Sequence, residues 1–164
     1  MVSIQNVSLF LAVLLTGLLA GLFYSYACSV NIGLGRLTDE EYLRAMQSIN
    51  EGILNPVFFL SFLGALVLLP FASWMNHNFI PTGAYYFLLS ATIIYVIGVF
   101  GITAVGNVPL NEALARFTID GASPQELFVQ RQKFELTWNS YHTIRTVAAV
   151  LSFALSLVSI FKIK

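Results

Sequence analysis

From Gly52 to Asn111 the chain carries no Asp, Glu, Lys or Arg, a run of 60 residues without a formal charge. Residues 1–35 form a second such run. A helix on a soluble protein needs a polar face toward water, so neither run suits an ordinary soluble fold. About 20 apolar residues cross the hydrocarbon core of a bilayer as a helix. The pattern is that of an integral, multi-pass membrane chain, in the cell membrane if the source is bacterial. Charged residues make up only 10% of the sequence, against about 25% in an average soluble domain. Eight basic residues balance eight acidic ones. With no basic surplus there is no electrostatic footprint for nucleic acid, and the expected surroundings are membrane lipids.

Four spans follow, roughly 7–32, 57–74, 83–105 and 141–161, within a single membrane domain covering 1–164. The long uncharged run must turn back on itself, because Met75-Asn76-His77-Asn78-Phe79-Ile80-Pro81 interrupts it with polar residues and a proline. Helices rather than a barrel are implied, since barrel strands are about half as long and alternate polar with apolar residues. The first span lacks a basic leader and is too long for a signal-peptide core, so it reads as a retained helix. Lys162 and Lys164 are placed to snorkel at the end of the fourth span.

With four spans, both charged segments fall on one face of the membrane, and each carries the signature of a helix start. Thr38-Asp39-Glu40-Glu41 and Ser123-Pro124-Gln125-Glu126 are capping boxes, the second with proline at the favoured first position. They predict capping helices over roughly 39–54 and 124–138. In the first, Tyr42, Met46, Ile49 and Ile53 share one face, and Glu40, Arg44, Gln47 and Glu51 the other. No proline or glycine follows Pro124, so the last helix is expected to run unbroken to Phe161, about 57 Å at 1.5 Å per residue. The expected fold is all-α: a four-transmembrane-helix bundle with a charged helical cap on one membrane face. Close packing through small residues would hold the spans together. Candidate seams are Gly17, Gly21, Ser25 and Ser29 in the first span, Ala91, Gly98 and Gly101 in the third, and Ala149, Ser152, Ser156 and Ser159 in the fourth.

Ionisable groups at membrane depth are expensive and point to function. At about 100° per residue, Trp138, His142 and Arg145 share one face of the last helix. Gly106-Asn107-Val108-Pro109-Leu110-Asn111 ends the third span with two amides around a proline that opens the helix. Tyr24, Tyr26 and Cys28 end the first span at the same level, and Asn55 precedes Pro56 at the start of the second. This convergence predicts a pocket beneath the cap. With two histidines, one cysteine and no paired ligand spacing, neither a metal site nor a haem site is expected, and no cofactor is invoked. Neither an inverted repeat nor a charge deep in a span supports a transporter.

Gly21-Leu22-Phe23-Tyr24-Ser25-Tyr26-Ala27-Cys28-Ser29-Val30, Ala45-Met46-Gln47-Ser48-Ile49-Asn50, Asn55-Pro56, Gly106-Asn107-Val108-Pro109-Leu110-Asn111, Trp138-Asn139 and Arg145-Thr146 together resemble the anthrone oxygenase-like family of small four-helix membrane proteins. The resemblance touches all four spans. It implies an oxygenase or oxidoreductase, free of cofactors, acting on a small apolar aromatic substrate of anthrone or quinone type. In that reading His142 is the general base and Arg145 the cation for a developing oxyanion, aided by Asn107 or Asn111. Trp138 and Tyr26 stack on the substrate rings. The competing reading is a non-catalytic membrane scaffold that binds a lipid or a partner protein, favoured by the scarcity of ionisable groups.

Overall fold

The computed structural model describes residues 3–162, and every regular element among them is helical. Helix α1 spans Ile4–Leu34, α2 Asp39–Gly52, α3 Pro56–Asn76, α4 Thr82–Ala115 and α5 Pro124–Phe161. Four of them, α1, α3, α4 and α5, are long and apolar enough to cross a membrane. They form a ring in which each packs on two others, in the order α1, α3, α4, α5. Helix α2 lies across the end of this ring against α5 and the last turns of α4. The protein is a four-span membrane bundle with a charged cap.

The starts of the elements follow their sequence signals. Both capping boxes form: Thr38 and Ser123 accept from the backbone amides of Glu41 and Glu126, whose carboxylates return to the cap residues. These hydrogen bonds to Thr38 hold the Glu41 carboxyl below its ordinary value. Asn55 caps α3 by accepting from the Phe58 amide, with Pro56 in the first turn. Helix α5 runs through all 38 residues from Pro124 to Phe161. Lys162 sits with its ammonium 5.7 Å from the Phe87 ring, and Lys164 lies outside the described residues.

Two expectations change. The third span does not open at Pro109 but continues to Ala115. It absorbs the proline by adopting π-helical turns at Tyr95–Gly101 and Thr103–Asn107, so that Val108 N–H reaches back to the Thr103 carbonyl. The shifted pairing accommodates a residue with no amide proton. In the first span, Gly21, Ser25 and Ser29 are exposed rather than packed. The buried row is Ser8, Leu9, Ala12, Val13, Thr16, Leu19, Ala20 and Phe23, and only Gly17 of the expected seam meets a neighbour, the Phe153 ring.

The seam on α5 is present and directional. Ser152 Oγ donates to the Ala91 carbonyl and Ser159 Oγ to the Ala84 carbonyl, each at 2.8 Å. Gly98 and Gly106 let α4 approach α5 closely. A Cβ there would stand 2.7 Å from Ala148 Cβ and from the Tyr141 ring respectively. Between α3 and α4, Tyr95 donates to the Phe62 carbonyl and Ser73 pairs with Thr92, both at 2.8 Å. Without a hydrophobic drive between helices in lipid, such contacts and close packing fix the bundle.

Candidate functional site

The cap is bolted to the bundle by Arg131 on α5. Its guanidinium donates to the Asp39 carboxylate at 3.0 Å, to Glu135 at 2.6 Å and to the Leu37 and Gly35 carbonyls at 2.8 and 3.2 Å. It also lies 4.5 Å over the Tyr42 ring. Burial, then the Glu135 charge, pushes the Tyr42 phenol up beyond its ordinary range, with Arg131 opposing. Arg44 ties α2 to the loop before α5 through Asp120 at 2.6 Å. Gln47, placed by its spacing among the outward residues, in fact turns inward. Its amide donates to the Leu114 and Phe117 carbonyls, both at 2.9 Å, which supply the acceptors its burial requires.

Beneath the cap, aromatic rings stack in a continuous column. Tyr42 meets Phe134, Phe134 stacks on Trp138 at 6.1 Å, and Trp138 stacks on His142 at 5.0 Å with planes 13° apart. Phe23 and Tyr26 close on the same imidazole edge-on at 5.8 and 5.1 Å, and Tyr26 also contacts Trp138. Arg145 ends the column, with its guanidinium carbon 4.5 Å from the Phe23 ring and 5.2 Å from that of Trp138. Such cation–π contacts strengthen where water is excluded.

The chemistry of the pair at the end of this column is set by one hydrogen bond. Arg145 Nε donates to His142 Nδ1 at 3.1 Å. A guanidinium is always a donor, so Nδ1 must be unprotonated and the imidazole neutral, with its proton on Nε2. Nε2 faces Thr146 Oγ1 at 3.4 Å, and that hydroxyl gives its own proton to the His142 carbonyl. His142 is 1% exposed and Arg145 9%. The five ion pairs among the described residues all involve other side chains. Arg145 is therefore a buried cation against aromatic faces and one imidazole, with no carboxylate paired to it among the described residues, in contrast to Arg131.

The amides join the column from α4. Asn111 Oδ1 accepts from the Trp138 indole N–H at 2.7 Å, and Asn107 Nδ2 donates to the Trp138 carbonyl at 3.2 Å. The side-chain Oδ1 of Asn107 is buried without a partner, as is that of Asn139. Thus Tyr26, Asn107, Asn111, Trp138, His142 and Arg145 do converge. Tyr24 and Cys28 do not, since both are exposed, and Asn55 is engaged as a cap. The convergence is filled by its own side chains rather than hollow. A cavity of about 450 Å³ between α2 and the end of α4 shares only Asn111 with the group.

Residues that spacing alone had not brought forward are Phe23, Phe134, Thr146 and Asn50. A signal for the π-turns was present in the row Tyr95, Val99, Thr103 and Asn107, buried at a strict spacing of four. In an α-helix such a row drifts by about 40° per step and leaves the core. Wider π-turns, which recur at functional sites, keep Asn107 on the inner face. A third π-turn at Tyr26–Val30 lies in α1 beside the column. Among the described residues no three His, Cys, Asp or Glu side chains are grouped as metal ligands.

The chain is thus a four-span membrane bundle with an ordered cap over a buried arginine, an imidazole and stacked rings. A family model described as anthrone oxygenase matches residues 53–155, and the chain belongs to that family. No curated protein matches the chain, and no solved structure does.

Proposed function

We propose that the protein is a cofactor-independent oxygenase for a small apolar aromatic substrate of the anthrone type, drawn from the bilayer. The observation that carries this reading is Arg145, a buried guanidinium with no carboxylate partner among the described residues and with its Nε proton resting on a neutral histidine. A cation held this way is prepared for charge that develops during reaction rather than charge already present.

Anthrone has a CH₂ flanked by two rings and conjugated to a ketone. In the proposed cycle its carbonyl oxygen draws Arg145 off His142 Nδ1, which frees the lone pair of that nitrogen. Nδ1 then takes a proton from the CH₂, and Arg145 with an amide of Asn107 or Asn111 meets the enolate oxygen. The enolate passes one electron to O₂, and the resulting radical and superoxide combine at carbon to give a peroxide anion. His142 returns the proton, and loss of water from the hydroperoxide leaves the quinone. Substrate and O₂ thus yield quinone and one water. Trp138 and Tyr26 would stack on the rings once they part from their present contacts.

The test is oxygen uptake and quinone absorbance with anthrone, using protein in mild detergent or in lipid vesicles. The expected result is one O₂ consumed per quinone formed. A rate no greater than that of empty vesicles would remove the oxygenase reading. The filled state of the column favours a second reading, a membrane scaffold that binds a lipid or partner. It predicts no uptake with any acidic aromatic ketone and an unchanged protein on replacement of His142 by Gln.

A further inference from the structure

The membrane face opposite the cap has its own charge signature. All eight acidic side chains lie between Asp39 and Glu51 or between Glu112 and Glu135, on the cap side of the bundle. At the other face, where α4 begins and α5 finishes, the sequence places no side-chain carboxylate. Ser159 Oγ on the Ala84 carbonyl holds these two helix ends at one level. Lys162 follows α5 there, exposed, with its ammonium 5.7 Å from the Phe87 ring. Phe87 is also one wall of a groove of about 380 Å³ between the outer sides of α4 and α5, shared with Tyr86, Ser90, Ile94 and Leu155. From Tyr86 to Ile94 the groove runs about 12 Å into the span, at 1.5 Å per residue. A cation therefore stands at the mouth of an apolar groove that opens toward lipid.

The headgroup of the ligand is selected by charge. Lys162 takes part in none of the five ion pairs among the described residues. Basic sites between spans at the bilayer surface recognise acidic headgroups. Tyr86 and Ser90, both exposed, add hydroxyls of the kind that donate to phosphate and ester oxygens. A zwitterionic headgroup brings a cation of its own, which would meet Lys162 with no carboxylate to receive it. A second groove, about 440 Å³ between α1 and α5, is lined by Gly17 and apolar side chains alone and offers no charge to choose between headgroups. We infer that the groove between α4 and α5 binds an anionic phospholipid, its phosphate on the Lys162 ammonium and one acyl chain along Phe87, Ile94 and Leu155. The inference goes beyond the oxygenase reading and holds whether or not the aromatic column turns over a substrate.

Native mass spectrometry of the full chain in mild detergent, titrated with dioleoyl phosphatidylglycerol or dioleoyl phosphatidylcholine, reads the site directly. The expected result is a first lipid adduct that saturates, with phosphatidylglycerol held about fivefold or more tightly than phosphatidylcholine. Lys162→Gln should bring the first lipid to the affinity of the second, and Lys162→Arg should keep the preference. Ser90→Phe, an apolar substitution at an exposed position of α4, should fill the groove and abolish saturable binding while the charge stays. Lys133→Gln removes the same charge from the exposed surface of the cap side and should change nothing. An unfolding midpoint in sodium dodecyl sulfate equal to that of the wild type establishes that each variant folds. Preference lost in Lys162→Gln together with binding lost in Ser90→Phe supports the site. No preference in the wild type, or wild-type behaviour in either of those variants, overturns it. Equal loss in Lys133→Gln and Lys162→Gln shows general charge attraction and overturns it as well. Oxygen uptake is a separate measurement, so neither result decides the oxygenase reading.

Discussion

Replacing Arg131 by Met keeps the aliphatic stem and removes the donors by which this residue ties the linker before α2 to α5. The side chain is 11% exposed, and its partners Asp39 and Glu135 are 33% and 20% exposed. A hydrogen bond to a charged group contributes about 1.5–3 kcal/mol and a neutral one about 0.5–1.5. Asp39 can rehydrate once the linker moves, so its contact counts toward the about 0–1 kcal/mol of a surface pair. The Glu135 contact lies within α5 and does not hold the cap; the two linker carbonyls, which can rehydrate and so count at about 0.5–1.5 kcal/mol each, and this reduced term give a local loss of about 1–4 kcal/mol. The loss falls on the linker and α2, because the spans keep their own serine and tyrosine hydrogen bonds. Hydrogen exchange measured by mass spectrometry in detergent should therefore show protection of peptides covering 38–52 falling by about 5- to 700-fold, at about 1.4 kcal/mol per decade. Peptides within 56–76 should be unchanged. Arg131→Lys should recover only part of the protection, since an ammonium cannot reproduce the planar fork. A change of less than about threefold at 38–52, or equal loss throughout the chain, would refute the reasoning that this arginine secures the cap and not the spans.

His142→Gln should fold and retain quinone binding while its oxygen uptake drops by ~10² to 10⁴, the usual effect of losing a general base; anthrone turnover followed by quinone absorbance measures it. Gly106→Ala should destabilise the bundle by about 1–3 kcal/mol through overpacking against the Tyr141 ring, read as a lower midpoint in sodium dodecyl sulfate unfolding. Glu41 has its carboxyl held low by hydrogen bonds from Thr38. Its contribution is therefore present above the ordinary glutamate value and lost as pH falls through the lowered one. Exchange protection at the start of α2 should accordingly fall in the acid range in wild-type protein, and a Glu41→Gln variant should lack that pH dependence.

Much of the architecture is a direct consequence of where charges are allowed. A run of 60 uncharged residues can be satisfied only in lipid, and in lipid a backbone must satisfy its own hydrogen bonds as helix. The spans, the turn at Asn76–Pro81 and the capping boxes at Thr38 and Ser123 are therefore local facts, encoded by residues close in sequence. The face of α5 was legible for the same reason. Trp138, His142, Arg145, Ala149, Ser152 and Ser156 obey a helical period that no neighbour needed to correct. What only the tertiary structure decided are matters of pairing and fill. Gly21, Ser25 and Ser29 have the spacing of a seam, yet face outward, because small residues permit close approach without specifying a partner. The π-turns of α4 arise where Gly98 and Gly106 press against Ala148 and Tyr141, and they carry the helix past Pro109. Sequence brought the polar groups to one level of the membrane. Whether they would enclose a space or occupy it depended on the volumes of Phe23, Tyr26, Phe134 and Trp138 brought together from two helices, a quantity that no local pattern records.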